Sequence, residues 1–348
     1  MSETGSENAV KLEHRPKDTR FRQQRIKAWR PILTARGVFP IFLGIGALFL
    51  PLGVVFLVVS SKVSETVIEY THCERIDGSA RTFCSEEVRT PAFYLNYESC
   101  PCQINFTLDT PMSGTVYLYY GLSNFFQNHR RYVLSKDDKQ LHGEIGTLSA
   151  DCNPYRLNPD GKKYAPCGAI AMSLFNDTFT LKYRGSDSDS LSASEEVPMT
   201  KEGIAWPSDV EKKYGIPPAS SWDDTVKPDS WKLNATERSK DAYKGDEELI
   251  VWMRTAALPT FRKLYRKLIP QGRFTDGLPA GNYSIDVGYA YPVTQFGGTK
   301  RIIISTSSWL GARNPSLGIA YIVVGCVCLV LGIFFLVLHF RLPRSVRD

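Results

Sequence analysis

The sequence contains few of the residues from which catalytic and metal sites are built. Only five of its 348 residues are histidines, and it has no P-loop, no H-E-x-x-H and no G-x-S-x-G motif. The Asp-Lys-Thr-Gly phosphorylation sequence is also absent. His72, His129 and His142 have no nucleophile or carboxylate at a convincing spacing, so we expect ordinary surface or hydrogen-bonded histidines. These absences argue against an enzyme and against a cofactor, and they favour a binding or structural role.

Charge is missing from two long stretches, residues 38–60 and residues 317–338. A helix of either length spans about 30 Å or slightly more, which is the thickness of the hydrocarbon core of a membrane. The first stretch is too long for the apolar part of a signal peptide, and Ser60-Ser61-Lys62 is a poor cleavage site. We therefore predict two transmembrane helices, the first an uncleaved signal-anchor, which enclose one domain at residues 61–316.

Basic charge lies outside both apolar stretches. Residues 1–37 carry nine Lys/Arg and four Asp/Glu, and residues 341–348 carry three Arg and one Asp, whereas the rest of the chain carries 30 basic and 31 acidic residues. The positive-inside rule predicts that the tails, residues 1–37 and 339–348, are cytosolic and that the central domain is lumenal or extracellular. The net charge of +6 thus reflects topology, and the central domain shows no basic–aromatic pattern typical of nucleic-acid binding.

Four N-glycosylation sequons support an exported central domain. They all lie between the apolar stretches and begin at Asn105, Asn176, Asn234 and Asn282. A fifth candidate at Asn314 is excluded because proline follows it. One sequon occurs easily by chance, but four in one segment predict a glycoprotein of the secretory pathway.

Six of the eight cysteines also lie in the central domain, namely Cys73, Cys84, Cys100, Cys102, Cys152 and Cys167. An even number in an oxidising compartment predicts disulfide bonds, and Cys152 and Cys167 can close one loop. Cys100-Pro-Cys102 is too short to bridge itself comfortably. The first four cysteines therefore pair either in a crossed manner (Cys73–Cys100 with Cys84–Cys102) or in a nested manner (Cys73–Cys102 with Cys84–Cys100). A zinc site is disfavoured, because only His72 lies beside these cysteines and no C-x-x-C spacing repeats.

Period-two patterns of aromatic and β-branched residues predict antiparallel strands at residues 115–122, 178–183 and 285–291, and residues 301–305 form a further apolar strand. The segment 207–248 is rich in proline, serine, tryptophan and charge, and we interpret it as an extended arm over these strands. The predicted fold is therefore two transmembrane α-helices with a large exoplasmic β-rich domain. That domain is of the α+β class, an antiparallel sandwich held together by disulfides.

The segment 251–267, VWMRTAALPTFRKLYRK, is the most distinctive part of the central domain. Pro259 interrupts it, and Thr260 can cap a new helix. Such a helix would have one apolar face, formed by Phe261, Leu264, Tyr265 and Leu268, opposite a basic face formed by Arg262, Lys263, Arg266 and Lys267. We predict a helix that covers the sheet, with a basic face near lipid headgroups or a partner as the alternative.

Small residues in the apolar stretches indicate helix packing. Gly44, Gly46 and Gly53 allow another helix to approach the first stretch closely, and Cys328 with Gly332 forms a small-xxx-small pair in the second. Two helices cannot surround much of one another. We therefore predict that this pair packs against a larger membrane protein.

Several segments together resemble one known family. They are residues 123–132 (SNFFQNHRRY), 135–138, 152–156 (CNPYR), 165–171 (APCGAIA), 175–177, 203–206 (GIAW), 251–266, 278–281 and 314–321. On these residues the chain resembles the cell division control protein 50 family, also called the Lem-type family. Its members are the non-catalytic β-subunits of type-IV P-type ATPases, the phospholipid flippases.

The resemblance implies a heterodimer with an ATPase catalytic subunit. The two helices would pack beside the membrane helices of the ATPase, and the exoplasmic domain would cap its exoplasmic loops. Such subunits are needed for the ATPase to fold, leave the endoplasmic reticulum and reach the Golgi, endosomes or plasma membrane. The ATPase would then move aminophospholipid to the cytoplasmic leaflet. The resemblance also implies the nested disulfide pairing.

A subunit of a two-span ligand-gated channel is the alternative function. Such subunits share two spans, cytosolic tails and a disulfide-rich outer domain. The two apolar stretches lack a polar residue that could line a pore, which argues against the channel.

Overall fold

The structure is a computed structural model that describes residues 17–27, 35–77, 82–90, 93, 97–185 and 194–341. Most of the predicted cytosolic tails therefore lies outside the described residues. The chain divides into two compact units, one of residues 1–55 with 316–348 and one of residues 56–315. We describe each unit by itself and call them the helical unit and the sandwich unit.

The elements of the described chain are named here in chain order. The α-helices are α1 (Ala35–Ser61), α2 (Cys84–Glu87), α3 (Arg130–Leu134), α4 (Asp138–Leu141), α5 (Ala169–Met172), α6 (Pro207–Lys212), α7 (Ala235–Arg238), α8 (Ala242–Gly245), α9 (Glu247–Met253) and α10 (Pro315–Arg341). The strands are β1 (Glu65–Glu69), β2 (Cys100–Leu108), β3 (Met112–Ser113), β4 (Val116–Leu122), β5 (Lys163–Tyr164), β6 (Thr178–Gly185), β7 (Glu195–Glu196), β8 (Met199–Thr200), β9 (Thr225–Val226), β10 (Phe261–Leu268), β11 (Gly277–Leu278), β12 (Gly281–Tyr289) and β13 (Lys300–Thr306).

The long helices α1 and α10 contain the two apolar stretches. Each is long and apolar enough to cross a membrane, and each extends one to three residues beyond the predicted span at either end. A surface this apolar is unfavourable in water and is stable in lipid or against other helices. A helix can cross lipid because its backbone groups bond to one another within the span. The pair therefore fits an integral membrane protein.

Glycines let α1 and α10 approach each other closely. A Cβ atom added at Gly46 would lie 2.6 Å from the side chain of Leu329, and one at Gly53 would lie 2.9 Å from the backbone nitrogen of Ile322. On α10, Gly318, Gly325 and Gly332 recur every seven residues and are buried. The close approach predicted at Gly46 and Gly53 is thus made by the chain's own second helix, and Cys328 is buried as well.

We expect Gly53→Val to separate the two helices, because the new side chain would overlap Ile322. Overpacking of this kind costs about 1–3 kcal/mol, so the paired state should be roughly tenfold less populated. Phe49 and Tyr321, whose ring centroids lie 4.9 Å apart, can be replaced by cysteines in a background without the native thiols. The rate of oxidative cross-linking then measures the pairing.

Gly44→Val is the matched control for this experiment. A Cβ atom at Gly44 has no atom of the chain within 4 Å, so valine there should leave the cross-linking rate unchanged. Equal rates for the two variants would show that the glycine contacts do not hold the helices together.

The sandwich unit consists mainly of two antiparallel sheets. One has the strand order β1-β13-β4-β10-β8, and the other has the order β2-β12-β6-β7. Side chains of a strand point alternately to the two faces of its sheet, and one face of each sheet is buried. On β4 the buried face carries Leu118, Tyr120 and Leu122. The inner faces pack through aromatic rings, since Tyr265 of the five-stranded sheet lies 4.9 Å from Phe179 of the four-stranded sheet. The predicted fold class, including the disulfide-bonded β-rich domain, is confirmed.

Three of the four strand predictions agree closely with the structure. Strands β4, β6 and β13 match the predicted segments to within two residues, whereas β12 begins earlier, at Gly281, and ends at Tyr289. The prediction for segment 207–248 is less accurate. Its residues form α6, α7, α8, strand β9 and the start of α9 rather than an extended arm. The segment packs against the unit because Trp231 and Tyr243 are buried in its core.

The predicted helix after Pro259 is wrong, because residues Phe261–Leu268 form strand β10. This strand pairs with β4 along most of its length and with β8 at its end. A bulge between Leu264 and Arg266 adds a residue, so that Tyr265 and Leu268 both face inward and imitate helical spacing.

The predicted basic face does not exist either. Lys263 is buried, while Arg262 pairs with Glu65 at 2.6 Å and Arg266 pairs with Glu248 at 2.7 Å. Because a strand alternates its side chains, the four basic residues are divided between the two faces of the sheet. The acidic partners come from β1 and α9.

Three disulfide bonds lie in the sandwich unit. Cys73 is bonded to Cys102 and Cys84 to Cys100, which is the nested arrangement implied by the family resemblance. These bonds tie the segment after β1 and helix α2 to strand β2. The third bond joins Cys152 to Cys167 within a small separate cluster that includes Leu148 and Tyr164.

Candidate functional site

Two loops and one shorter segment converge at the end of the five-stranded sheet where β4 ends and β10 begins. Leu122 is paired with Phe261, so the loop of residues 123–129 lies beside the loop of residues 254–260. The backbone N–H of Phe125 donates to the carbonyl of Pro259 at 3.0 Å, and the N–H of Ala256 donates to Gln127 Oε1 at 2.9 Å. Residues 203–206 join them through Trp206, whose ring lies 4.9 Å below the guanidinium of Arg254.

Large apolar side chains are exposed on these loops. The exposed fractions are 56% for Phe126, 62% for Trp206 and 67% for Leu258. With Arg254 these three residues form what we call the loop surface. Arg254 is oriented by Asp209, which accepts a hydrogen bond from its guanidinium at 2.9 Å. Burial raises the pKa of Asp209, but the hydrogen bonds and charges of Lys213 and Arg254 outweigh it and hold that pKa below its usual value. Clustered exposed apolar groups beside a fixed charge are typical of protein-binding surfaces.

A groove of about 540 Å³ adjoins the loop surface. It is lined by the start of α6, the end of α9 and the first half of β10, and its residues include Trp206, Arg254 and Arg262. Its volume lies within the range of pockets that bind a small ligand or a protruding side chain. An inserted loop of a partner could therefore occupy it.

The buried side chain of Lys263 contacts the backbone that carries Arg254 of the loop surface. Its Nζ donates to the carbonyls of Val251, Trp252 and Arg254 at 2.9, 2.7 and 2.7 Å, which satisfies carbonyls at the end of α9. Burial, with a smaller contribution from the charge of Arg254, lowers the pKa of Lys263 to about 7. Three carbonyl acceptors match the three donors of a protonated ammonium group.

A fully buried ion pair lies at the centre of the sandwich unit. Asp177 accepts from Lys300 Nζ at 2.6 Å, from the Tyr70 hydroxyl at 2.8 Å, and from the backbone N–H groups of Ala290 and Tyr291 at 2.7 and 2.6 Å. Lys300 Nζ also donates to the carbonyl of Tyr291 at 2.8 Å. The pair thus joins β6 and the end of β12 in one sheet to β13 in the other.

Burial and charge shift the pKa values of Lys300, which belongs to the pair, and of the neighbouring Tyr70. Burial lowers the pKa of Lys300 to about 8, while the charge of Asp177 acts in the opposite direction. Burial and the same carboxylate raise the pKa of Tyr70 well above its usual value. Because the pair connects both sheets, we assign it a structural role, and the sequence gives no local signal that Asp177 and Lys300 meet.

The structure brings two of the four sequons together on neighbouring strands and places the other two elsewhere. Asn105 and Asn282 lie on the paired strands β2 and β12, where Thr107 Oγ1 donates to Asn282 Oδ1 at 2.9 Å. Asn234 precedes α7, and its backbone N–H donates to Glu237 Oε2 at 2.7 Å. Asn105, Asn176 and Asn234 are exposed, and Asn282 is half-buried. Each is thus compatible with a carbohydrate group that projects from the folded unit.

The described residues contain no group of three or more His, Cys, Asp or Glu side chains arranged to hold a metal ion. His72 lies beside the disulfides, with Nδ1 at 3.4 Å from Ser85 Oγ and its ring against Phe83. All six cysteines of the sandwich unit are bonded in pairs.

Two apolar helices near the ends of the chain and a disulfide-bonded antiparallel sandwich between them in the sequence define an integral membrane protein with one large domain. A family model described as the LEM3 (ligand-effect modulator 3) family / CDC50 family matches residues 56–345. The chain belongs to this family, as its sequence motifs predict.

Relatives match nearly the whole chain. Cell cycle control protein 50A of Mus musculus is 44% identical over 95% of this chain and 91% of its own length. Cell cycle control protein 50B of Homo sapiens is 40% identical over 96% of both. A protein named putative ALA-interacting subunit 4 of Arabidopsis thaliana is 39% identical over 95% of this chain and 91% of its own length.

Proposed function

We propose that this chain is the non-catalytic accessory subunit of a P-type ATPase that moves aminophospholipid from the exoplasmic to the cytoplasmic leaflet. Family membership over most of the chain carries this proposal, and a relative named as an interacting subunit supports it. In this role the chain forms a heterodimer with the ATPase, helps it to fold and leave the endoplasmic reticulum, and hydrolyses no ATP itself. The family match favours this role over a channel subunit.

The proposed topology follows from charge and from the sequons. Residues 1–37 and 339–348 are cytosolic, residues 38–60 and 317–338 cross the membrane, and residues 61–316 are lumenal or extracellular. Asn105, Asn176, Asn234 and Asn282 carry N-linked glycans added in the endoplasmic reticulum. The protein then resides in the endoplasmic reticulum, Golgi, endosomes and plasma membrane with its partner.

Contact with the ATPase is proposed at two surfaces. In the helical unit, the face of α1 that bears Ile41, Gly44 and Leu48 is exposed and would lie against the ATPase's membrane helices. In the sandwich unit, the loop surface and its groove would receive an exoplasmic loop of the ATPase. Exposed aromatic side chains at the centre of such contacts commonly supply most of the binding energy.

Co-purification of the full-length tagged chain from native membranes tests the function. We expect a P-type ATPase to be recovered with it, and loss of the chain to reduce uptake of labelled aminophospholipid from the outer leaflet. Recovery of the chain without such an ATPase, together with unchanged lipid uptake, would exclude the proposed role. Protease treatment of sealed vesicles tests the topology separately.

Leu258→Asp should reduce recovery of the ATPase at least tenfold, because a carboxylate at the centre of an apolar contact must be desolvated without a partner. The chain itself should fold normally, since Leu258 is exposed. Ile76→Asp changes a similarly exposed residue beside the disulfides and should leave recovery unchanged. Equal recovery with both variants would show that the loop surface is not the contact.

A further inference from the structure

A second cleft, with a volume of about 370 Å³, opens between the two sheets of the sandwich unit. Its floor is aromatic and includes Tyr120, Phe175 and Tyr265. The rings of Tyr120 and Phe175 are stacked with centroids 3.9 Å apart. Tyr97 and Leu233 lie on the rim, with 38% and 45% of their surface exposed. The cleft therefore offers apolar faces to whatever enters it.

Charged groups line one wall of the same cleft. Glu248 lies between two arginines, 2.7 Å from Arg266 and 3.6 Å from Arg238. Arg266 lies over the ring of Tyr265 at 3.9 Å, and Arg238 lies over the ring of Trp231 at 4.9 Å. Hydrogen-bonding groups are thus held in fixed positions beside aromatic rings.

A glycosylation sequon lies at the edge of this cleft. Asn176 and Thr178, the first and third residues of the sequon, both line the cleft and are both exposed. The residue between them, Asp177, is fixed by the buried pair with Lys300, so the position of Asn176 is fixed as well. Asn105 differs, because it lies on β2 and lines none of the cavities described here.

We propose that the cleft is the binding site for the first sugar residues of a glycan attached to Asn176. The C–H faces of N-acetylglucosamine pack on aromatic and apolar side chains, here Tyr97, Phe175 and Leu233. Its hydroxyl and acetamido groups hydrogen-bond to carboxylates and guanidinium groups, here Glu248 and Arg266. The cleft has the size of a small-ligand pocket and is reached directly from the attachment atom. This proposal depends on the proposed exoplasmic position of the unit.

Release of glycans from the native full-length protein by peptide-N-glycosidase F tests the proposal. Mass spectrometry follows each site separately, so that Asn105 is an internal control in the same sample. We expect the glycan on Asn176 to be released at least tenfold more slowly than that on Asn105. A double variant of the rim, Tyr97→Ser with Leu233→Ser, should bring the two rates together, because it removes exposed side chains that cover the sugar.

Three results would overturn the proposal: equal release rates in the unaltered protein, slow release that persists in the rim variant, or no glycan on Asn176 when Asn105 carries one. If Asn105, Asn176 and Asn234 all lack glycans, the result contradicts the proposed exoplasmic position of the sandwich unit. Thr178→Ala removes the sequon, and it should leave the release rate at Asn105 unchanged.

Discussion

Asp177→Asn is expected to lower the melting temperature of the detergent-solubilised chain by roughly 10 °C, since losing one partner of a buried ion pair costs about 3–5 kcal/mol. The substitution keeps the size of the side chain but leaves the ammonium of Lys300 without its counter-charge in a fully buried position. The amide can still accept the N–H groups of Ala290 and Tyr291. The amide –NH2 group would replace Oδ2, which accepts from Lys300 and Tyr70. The loss therefore reports on the charge and on these two hydrogen bonds together. The sequon at Asn176 remains intact, because its middle residue can be any residue except proline.

Two controls distinguish loss of the ion pair from other causes of the lower stability. Glu195→Gln removes one partner of an exposed pair, in which Arg273 lies 3.7 Å away, and should cost less than about 1 kcal/mol. Combining Asp177→Asn with Lys300→Met should cost less than the sum of the two single changes, because neither charge is then left alone. Additive effects would contradict direct coupling between Asp177 and Lys300.

The parts of the fold that could be predicted from the sequence are those with a regular local pattern. The apolar stretches predict α1 and α10 because about 20 consecutive apolar residues are the length of a helix that crosses a membrane. Strand β6 alternates between buried and less buried residues, so it has one buried face at a fixed period. Strands β4 and β13 are short runs of aromatic or β-branched residues that are buried at several successive positions. The predicted family could be identified because its motifs are contiguous in the sequence, and the family match confirms it.

The parts that could not be predicted depend on residues that are far apart. The direction in which β10 buries its side chains depends on pairing with β4, about 140 residues earlier, and on a bulge. The ion pair of Asp177 with Lys300 joins residues 123 positions apart, and no local pattern signals it. The loop surface likewise exists only because residues 123–129, 203–206 and 254–260 meet in space, although each segment was already part of the predicted family resemblance.

Lys263→Met is the second change for which we expect a large effect. The substitution removes the donor to three carbonyls at the end of α9, and each buried carbonyl left without a donor costs about 1–3 kcal/mol. We expect the melting temperature to fall by roughly 10 °C. Amide hydrogen exchange should also accelerate in residues 254–260, because Arg254 loses the contact that fixes the start of this loop.

Lys267→Met is the matched control on the same strand. Lys267 is paired with Tyr117, is half-buried and follows the bulge of β10, so its loss should change the stability by no more than about 0.5 kcal/mol. If Lys263 orients the loop surface, Lys263→Met should also reduce recovery of the ATPase, whereas Lys267→Met should not. Faster exchange in residues 254–260 with normal recovery would show that the loop surface is dispensable for binding, even though Lys263 holds it in place.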